Sequence, residues 1–146
     1  MIAMYSVQNV ADWFLNQEPM SHKKLEKLIY LAYSYTLVIL NQKLFDDEFY
    51  AQVHGPIVKP IYNQYQDYGL SEIGKINIKP KFDNDTEDVL EQVWQVYGKY
   101  DGLELESIVR QTTPWQKARQ GISNLDGRGY KISQQDIADY FSTKIV

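Results

Sequence analysis

Residues 21–40 read SHKKLEKLIYLAYSYTLVIL. Ser21 can cap a helix that starts at the next residue. Leu25, Leu28, Ile29, Ala32, Tyr33, Thr36, Ile39 and Leu40 then recur at steps that keep one helix face apolar. The run is about five turns long, and toward its C-terminal end it is nearly apolar all round. A helix without a polar face is covered by neighbours on every side. This stretch is therefore expected at the centre of the molecule, and it sets the class as mainly α.

The flanks extend that reading. Ser6 can cap a helix to about Gln17, with Val7, Val10, Ala11, Phe14 and Leu15 on one stripe and Pro19 as its stop. Asn41–Glu48 is a polar, acidic turn interrupted by Leu44 and Phe45, and Phe49–Val53 is a short extended or helical piece. Gly55-Pro56 breaks the chain, because a proline pushes the residue before it out of the right-handed helical region. Pro60 suits the first turn of a helix to Tyr68, stopped by Gly69 and lined by Ile61, Tyr62, Tyr65 and Tyr68. Alternation in Ile73–Phe82, interrupted by Pro80, reads as a short edge strand or an extended loop. Asn84 with Glu87 suggests a capping box for a helix carrying Val89, Leu90, Val93, Trp94 and Tyr97. Leu103, Leu105, Ile108 and Val109 suggest another, and Thr113-Pro114 opens a short one over Trp115–Gln120. Asn124–Gly129 is a loop, Lys131–Ile132 is briefly extended, and Ser133 caps a last helix with Ile137, Ala138 and Phe141.

With 146 residues, no internal repeat and no linker, one core suffices. The expected architecture is a compact single-domain helical bundle of five to seven helices over residues 1–146, with room for a small two-stranded β ribbon. No sustained heptad is present, so it is not a coiled coil.

Composition narrows the function classes. There is no cysteine, which removes disulfides, thiol nucleophiles and thiolate metal sites and fits a reducing, cytoplasmic setting. No apolar run approaches the ~20 residues of a membrane span, and no basic segment followed by an apolar run opens the chain, so neither membrane insertion nor secretion is expected. The net charge of −4 opposes non-specific contact with nucleic acid. Lys23, Lys24 and Lys27 form a small basic group that reads as a solvated helix face. The unusual count is 12 tyrosines, a residue type at home both at core edges and at interfaces.

Chemistry-bearing patterns are sparse. His22 and His54 have no spacing that would share a metal. No serine sits in a Gly-x-Ser-x-Gly elbow, and no Gly-rich phosphate loop is present. Asp46, Asp47 and Glu48 are adjacent, so they point in different directions and read as an exposed acidic turn rather than a cation loop. No catalytic residue, metal ligand or cofactor is assigned. Gly55-Pro56 and Trp115 read as scaffold. Their functional reading is that the turn and its neighbours Tyr50, His54, Ile57 and Tyr62 form a recognition surface, since aromatic anchors flanked by polar residues have the composition of hot spots. Adding Tyr30, the candidate partner-binding set is Tyr30, Tyr50, His54, Gly55, Pro56, Ile57, Tyr62 and Trp115.

Taken in order, four segments and the closing helix resemble the Panacea antitoxin domain, the SocA-like family found in prophages and mobile elements. The segments are VQNVADWFL, KLEKLIYLAYSYTLV, FDDEFYAQVHGPIVKPIYNQY and TPWQKAR. Leu25, Lys27, Leu28 and Tyr30 fit the family's Leu-x-Lys-Leu-x-Tyr helix. Ala51 and the step Gly55, Pro56, Ile57 and Tyr62 fit its Gly-Pro-Val-x-x-x-Tyr text. Pro114, Trp115, Ala118 and Arg119 fit Pro-Trp-x-x-Ala-Arg, and Ile132 to Phe141 fits the closing Ile-x-x-x-x-Ile-x-x-Tyr-Phe. Many relatives carry Thr-His and then Glu where this chain has Val109-Arg110 and Thr112, and Ile57 stands where Val is commoner.

The resemblance implies an antitoxin-type protein that neutralises a cognate toxin, encoded nearby, through direct protein contact. It implies a prophage origin and no enzymatic activity, and it does not name the toxin. Three other readings stand beside it. One is a phage or mobile-element adaptor that binds a host protease or replication protein. Another is an enzyme of unrecognised type with a pocket around His54, Tyr30 or Trp115. The last is a nucleic-acid binder with a basic face.

Overall fold

The computed structural model describes residues 5–145. Seven α-helices, one 3-10 turn and five short strands follow one another in the described chain. The helices are α1 (Val7–Leu15), α2 (His22–Leu40), α3 (Lys59–Tyr65), α4 (Asn84–Tyr97), α5 (Gly102–Arg110), α6 (Thr113–Ala118) and α7 (Gln134–Ser142). The strands are β1 (Met20–Ser21), β2 (Phe49–Gln52), β3 (Gly55–Val58), β4 (Glu72–Ile73) and β5 (Tyr130–Lys131). The protein is mainly α, as the periodicity predicts.

Helix α2 is the axis of the molecule. It packs against α1, α3, α4, α5, α7 and β3. Its burial runs without a break from Lys24 to Ser34 and resumes at Thr36 and Leu37, so neighbours surround it through most of its length. Two polar residues of this stretch turn back onto their own helix: the Ser34 and Thr36 hydroxyls donate to the carbonyls of Tyr30 and Ala32, both at 2.8 Å. The end expected to be most enclosed is instead the one that leaves the core, since Ile39 is exposed. Asn41, in the left-handed region at φ 53°, stops the helix there.

Caps account for most helix starts. Ser6, Ser21 and Ser133 accept backbone N–H groups at the heads of α1, α2 and α7. At α4 the cap is Asp83, which accepts from Thr86 N–H, rather than the predicted Asn84. The capping box belongs to α5, where Asp101 and Glu104 satisfy each other's backbone N–H groups. At α6, Thr112 takes the cap position expected of Thr113, and Pro114 sits in the first turn.

The β content exceeds the single ribbon expected. One antiparallel sheet has the order β3-β2-β5, and β1 pairs with β4 in a separate two-stranded ribbon. The β2–β3 register opposes Phe49 to Val58 and Gln52 to Gly55, which leaves Val53-His54 as a two-residue turn. Gly55-Pro56, expected to break the chain, is thus the first step of a returning strand. Proline is tolerated there because β3 is an edge strand and need not donate on its outer side. Within Ile73–Phe82 only Ile73 is strand. The rest is tied to the end of α1 by Ile76 N–H on the Leu15 carbonyl (3.0 Å) and by the Asn16 amide on the Ile76 carbonyl (2.8 Å).

Candidate functional site

The β2–β3 hairpin stands against α2 and α5. Its tip is fitted by Gly55, whose φ is +127°. A Cβ there would lie 2.7 Å from Lys27 Cε and 3.3 Å from Val109 Cγ2, so glycine admits both the backbone conformation and the passage of the Lys27 stem. His54, at the tip, is exposed, and its Nδ1 lies 3.2 Å from Glu106 Oε2 on α5.

Glu106 is the hub of a charged cluster under the tip. Lys23 Nζ lies 2.7 Å from its Oε1, and Arg110 approaches the same carboxylate at 3.6 Å. Burial alone would raise the Glu106 carboxyl, but the Lys23 and His54 hydrogen bonds outweigh it and hold the group below the usual carboxylate range. One turn away on α2, Glu26 is buried with His22 Nδ1 at 2.9 Å. Lys27 is buried at 4.0 Å from Glu26, and loss of hydration pushes its ammonium below the ordinary lysine value despite the Glu26 and Glu106 charges. The basic group expected as a solvated face is therefore partly interior: Lys24 and Lys27 are buried, and Lys24 Nζ donates to the Gly98 carbonyl at 2.6 Å.

The Pro-Trp-x-x-Ala-Arg segment clamps the far side of the hairpin. Trp115 is buried and donates Nε1–H to the Gln52 carbonyl at 2.7 Å, while the Arg110 guanidinium lies 4.9 Å from its ring centre. Arg119, also buried, donates to four carbonyls, those of Ala51 (3.1 Å), Arg128 (3.0 Å), Ser123 (3.0 Å) and Asp126 (2.8 Å). A planar guanidinium suits this fan of acceptors, and it binds β2 to the 121–129 loop. Arg128 forks onto Asp126 at 3.0 and 2.8 Å, and the Tyr130 hydroxyl donates to the same carboxylate.

Tyr30 lies at the centre of the core, edge-on to Phe49 and Phe141. The Thr112 hydroxyl donates to the Val109 carbonyl at 2.6 Å, so at 3.0 Å the Tyr30 hydroxyl must be the donor to Thr112 Oγ1. Thr112 and Arg110 thus each hold a neighbouring aromatic, Tyr30 and Trp115.

The predicted partner-binding residues divide accordingly. Tyr30, Gly55, Pro56, Ile57 and Trp115 are buried and support the hairpin, Tyr50 and Tyr62 are half-buried, and His54 is exposed. Tyr50, Ile57 and Tyr62 converge on a groove of about 310 Å³, joined by Lys59, Asn63 and the 127–129 loop. That Lys59 and the 127–129 part of the expected loop join this groove was not legible from sequence. The available signal was a lysine directly after a β-branched pair and before a first-turn proline. Among the described residues no three His, Cys, Asp or Glu side chains are grouped to hold a metal ion, and no helix is long and apolar enough to cross a membrane.

A family model described as antitoxin SocA-like, Panacea domain, matches residues 25–116. The matched range begins within α2 and ends within α6, so it includes the hairpin, α3 and the Trp115 contact. Comparison with curated proteins and with solved structures gives no match.

Proposed function

The chain belongs to the antitoxin SocA-like, Panacea-domain family, and from that premise we propose that it neutralises a cognate toxin by direct protein contact. The observation that carries the reading is the family match, which covers more than half of the chain and contains the whole hairpin. Its support is physical as well. A hairpin pinned from one side by Trp115 and Arg119 and from the other by α2 and α5 presents its outward residues at little further ordering cost. Preorganisation of that kind favours binding. On this reading Tyr50, His54 and Tyr62 meet the partner. Tyr30, Gly55, Pro56, Ile57 and Trp115 keep them in place. The protein acts by occupancy in the cytoplasm, without turnover, and is encoded on a prophage or similar element beside its toxin.

The test is co-expression. The adjacent small reading frame is induced alone and together with this chain, and growth is followed. Arrest by the neighbour and restored growth with the pair are expected. A harmless neighbour, or arrest that the chain does not relieve, would overturn the proposal.

A further inference from the structure

The groove between the hairpin and α3 has a chemistry at odds with the rest of the molecule. The chain carries 19 acidic residues against 15 lysines and arginines, yet among the described residues no carboxylate lines this groove. Its lining includes the buried Ile57 and the half-buried rings of Tyr50 and Tyr62. Lys59 is exposed, with its ammonium 4.2 Å from the centre of the Tyr50 ring. A cation held over an aromatic face keeps its charge at a fixed place on the rim. Arg128, which also lines the groove, is already forked onto Asp126, so among the described residues Lys59 is the cation the groove offers. The loop side is fixed: a Cβ on Gly129 would come within 3.0 Å of Tyr50 Cβ, and Arg119 holds the loop from behind through three of its carbonyls. A volume of about 310 Å³ is at the small end for a binding pocket and suits one large side chain rather than a whole helix.

We propose that this groove receives an acidic segment of a protein partner, seating one aromatic side chain between Tyr50 and Tyr62 with a flanking carboxylate on Lys59. The inference rests on the reading of the chain as a protein-binding domain and specifies what it binds. Charge complementarity selects the segment, since the groove meets it with a cation while the surrounding protein repels excess negative charge elsewhere. The aromatic anchor supplies contact area in a site already shaped for it.

The test uses the isotope-labelled full chain and three blocked synthetic peptides: Gly-Glu-Asp-Phe-Glu-Asp-Gly, the same peptide with alanine for phenylalanine, and a counterpart with lysine at every acidic position. The first peptide is expected to shift the amide signals of Tyr50, Lys59, Tyr62 and Gly129 saturably, and the other two are not. Lys59→Glu should weaken the acidic peptide about tenfold or more, roughly the size of one lost charge contact, and should admit the lysine counterpart. Tyr62→Ala should abolish binding of the acidic phenylalanine peptide. Both replaced side chains reach solvent, and an unchanged amide spectrum outside the groove verifies the fold. Absence of a saturable response at these amides, equal binding of the lysine peptide to the unaltered chain, or indifference to Lys59→Glu would overturn the proposal. Growth rescue without a groove response would reject this placement alone. A groove response without rescue would reject the antitoxin reading alone.

Discussion

Gly55 joins two constraints in one residue: a φ of +127° and the Lys27 stem where a Cβ would stand. Gly55→Ala should therefore destabilise the fold by about 2 kcal/mol, the scale of a strained backbone position, seen as a lower urea midpoint at unchanged slope. Tyr33 offers a pH prediction. Burial, with Asp46 and Glu48 nearby, raises its hydroxyl from 10.0 to about 12. The folded state thus holds this proton more tightly than the unfolded chain does. The contribution is complete below pH 10 and is lost as pH rises through about 12. Urea unfolding from pH 9 upward should show stability declining across that window, and Tyr33→Phe should remove part of the decline. At this scale the sequence was least legible. An aromatic in a core and an aromatic at a hot spot are the same letter, and only the fold shows that Tyr30 and Trp115 face inward while Tyr50 and Tyr62 edge the groove.

The hairpin is the element on which the functional reading depends. It has four-residue strands, its third partner strand has two, and among the described residues no backbone hydrogen bond closes it against the 121–129 loop. Arg119 does that. Arg119→Lys keeps the charge but cannot reach four carbonyls, so buried acceptors are left unpaired at a cost of about 1–3 kcal/mol. Amide exchange should quicken in β2 and in the loop before it does in α2. The helices were legible because most carry a stripe and a capping residue close to where the fold uses them, while α3 starts after an uncapped Val58 with a first-turn proline; Asp83 and Thr112 moved a predicted cap by one position without altering the element. The sheet was not legible, because strands this short hold too few residues to show a period and Gly-Pro reads equally as a turn. Asp101→Ala, which removes the capping box of α5, should cost about 1 kcal/mol and loosen the helix that carries Glu106 beneath His54.

On the scale of the whole molecule, α2 organises the fold and the surface together. Its apolar residues gather the other helices, while Lys23, Glu26 and Lys27 on the same helix lie beneath the hairpin tip. Leu28, fully buried in that core, is where a change should be felt everywhere: Leu28→Ala should cost about 2–5 kcal/mol and lower the thermal midpoint of the entire chain in one cooperative transition. The class and the central helix were visible in residues 21–40 because apolar residues recur there at helical spacing; the burial of Lys24, Glu26 and Lys27 in its first turns was not. The groove was not visible, since its walls come from residues 50, 57, 59, 62 and 127–129, which only the hairpin and the Arg119 clamp bring together.

On the proposed function this chain contacts a toxin directly. Calorimetric titration of the purified chain with the purified product of the adjacent reading frame tests it most directly. A saturable, stoichiometric complex with a dissociation constant of about 1 μM or tighter, roughly 8 kcal/mol of binding free energy, is the predicted result. Absence of binding heat and of a co-eluting complex, with both proteins folded, would contradict it.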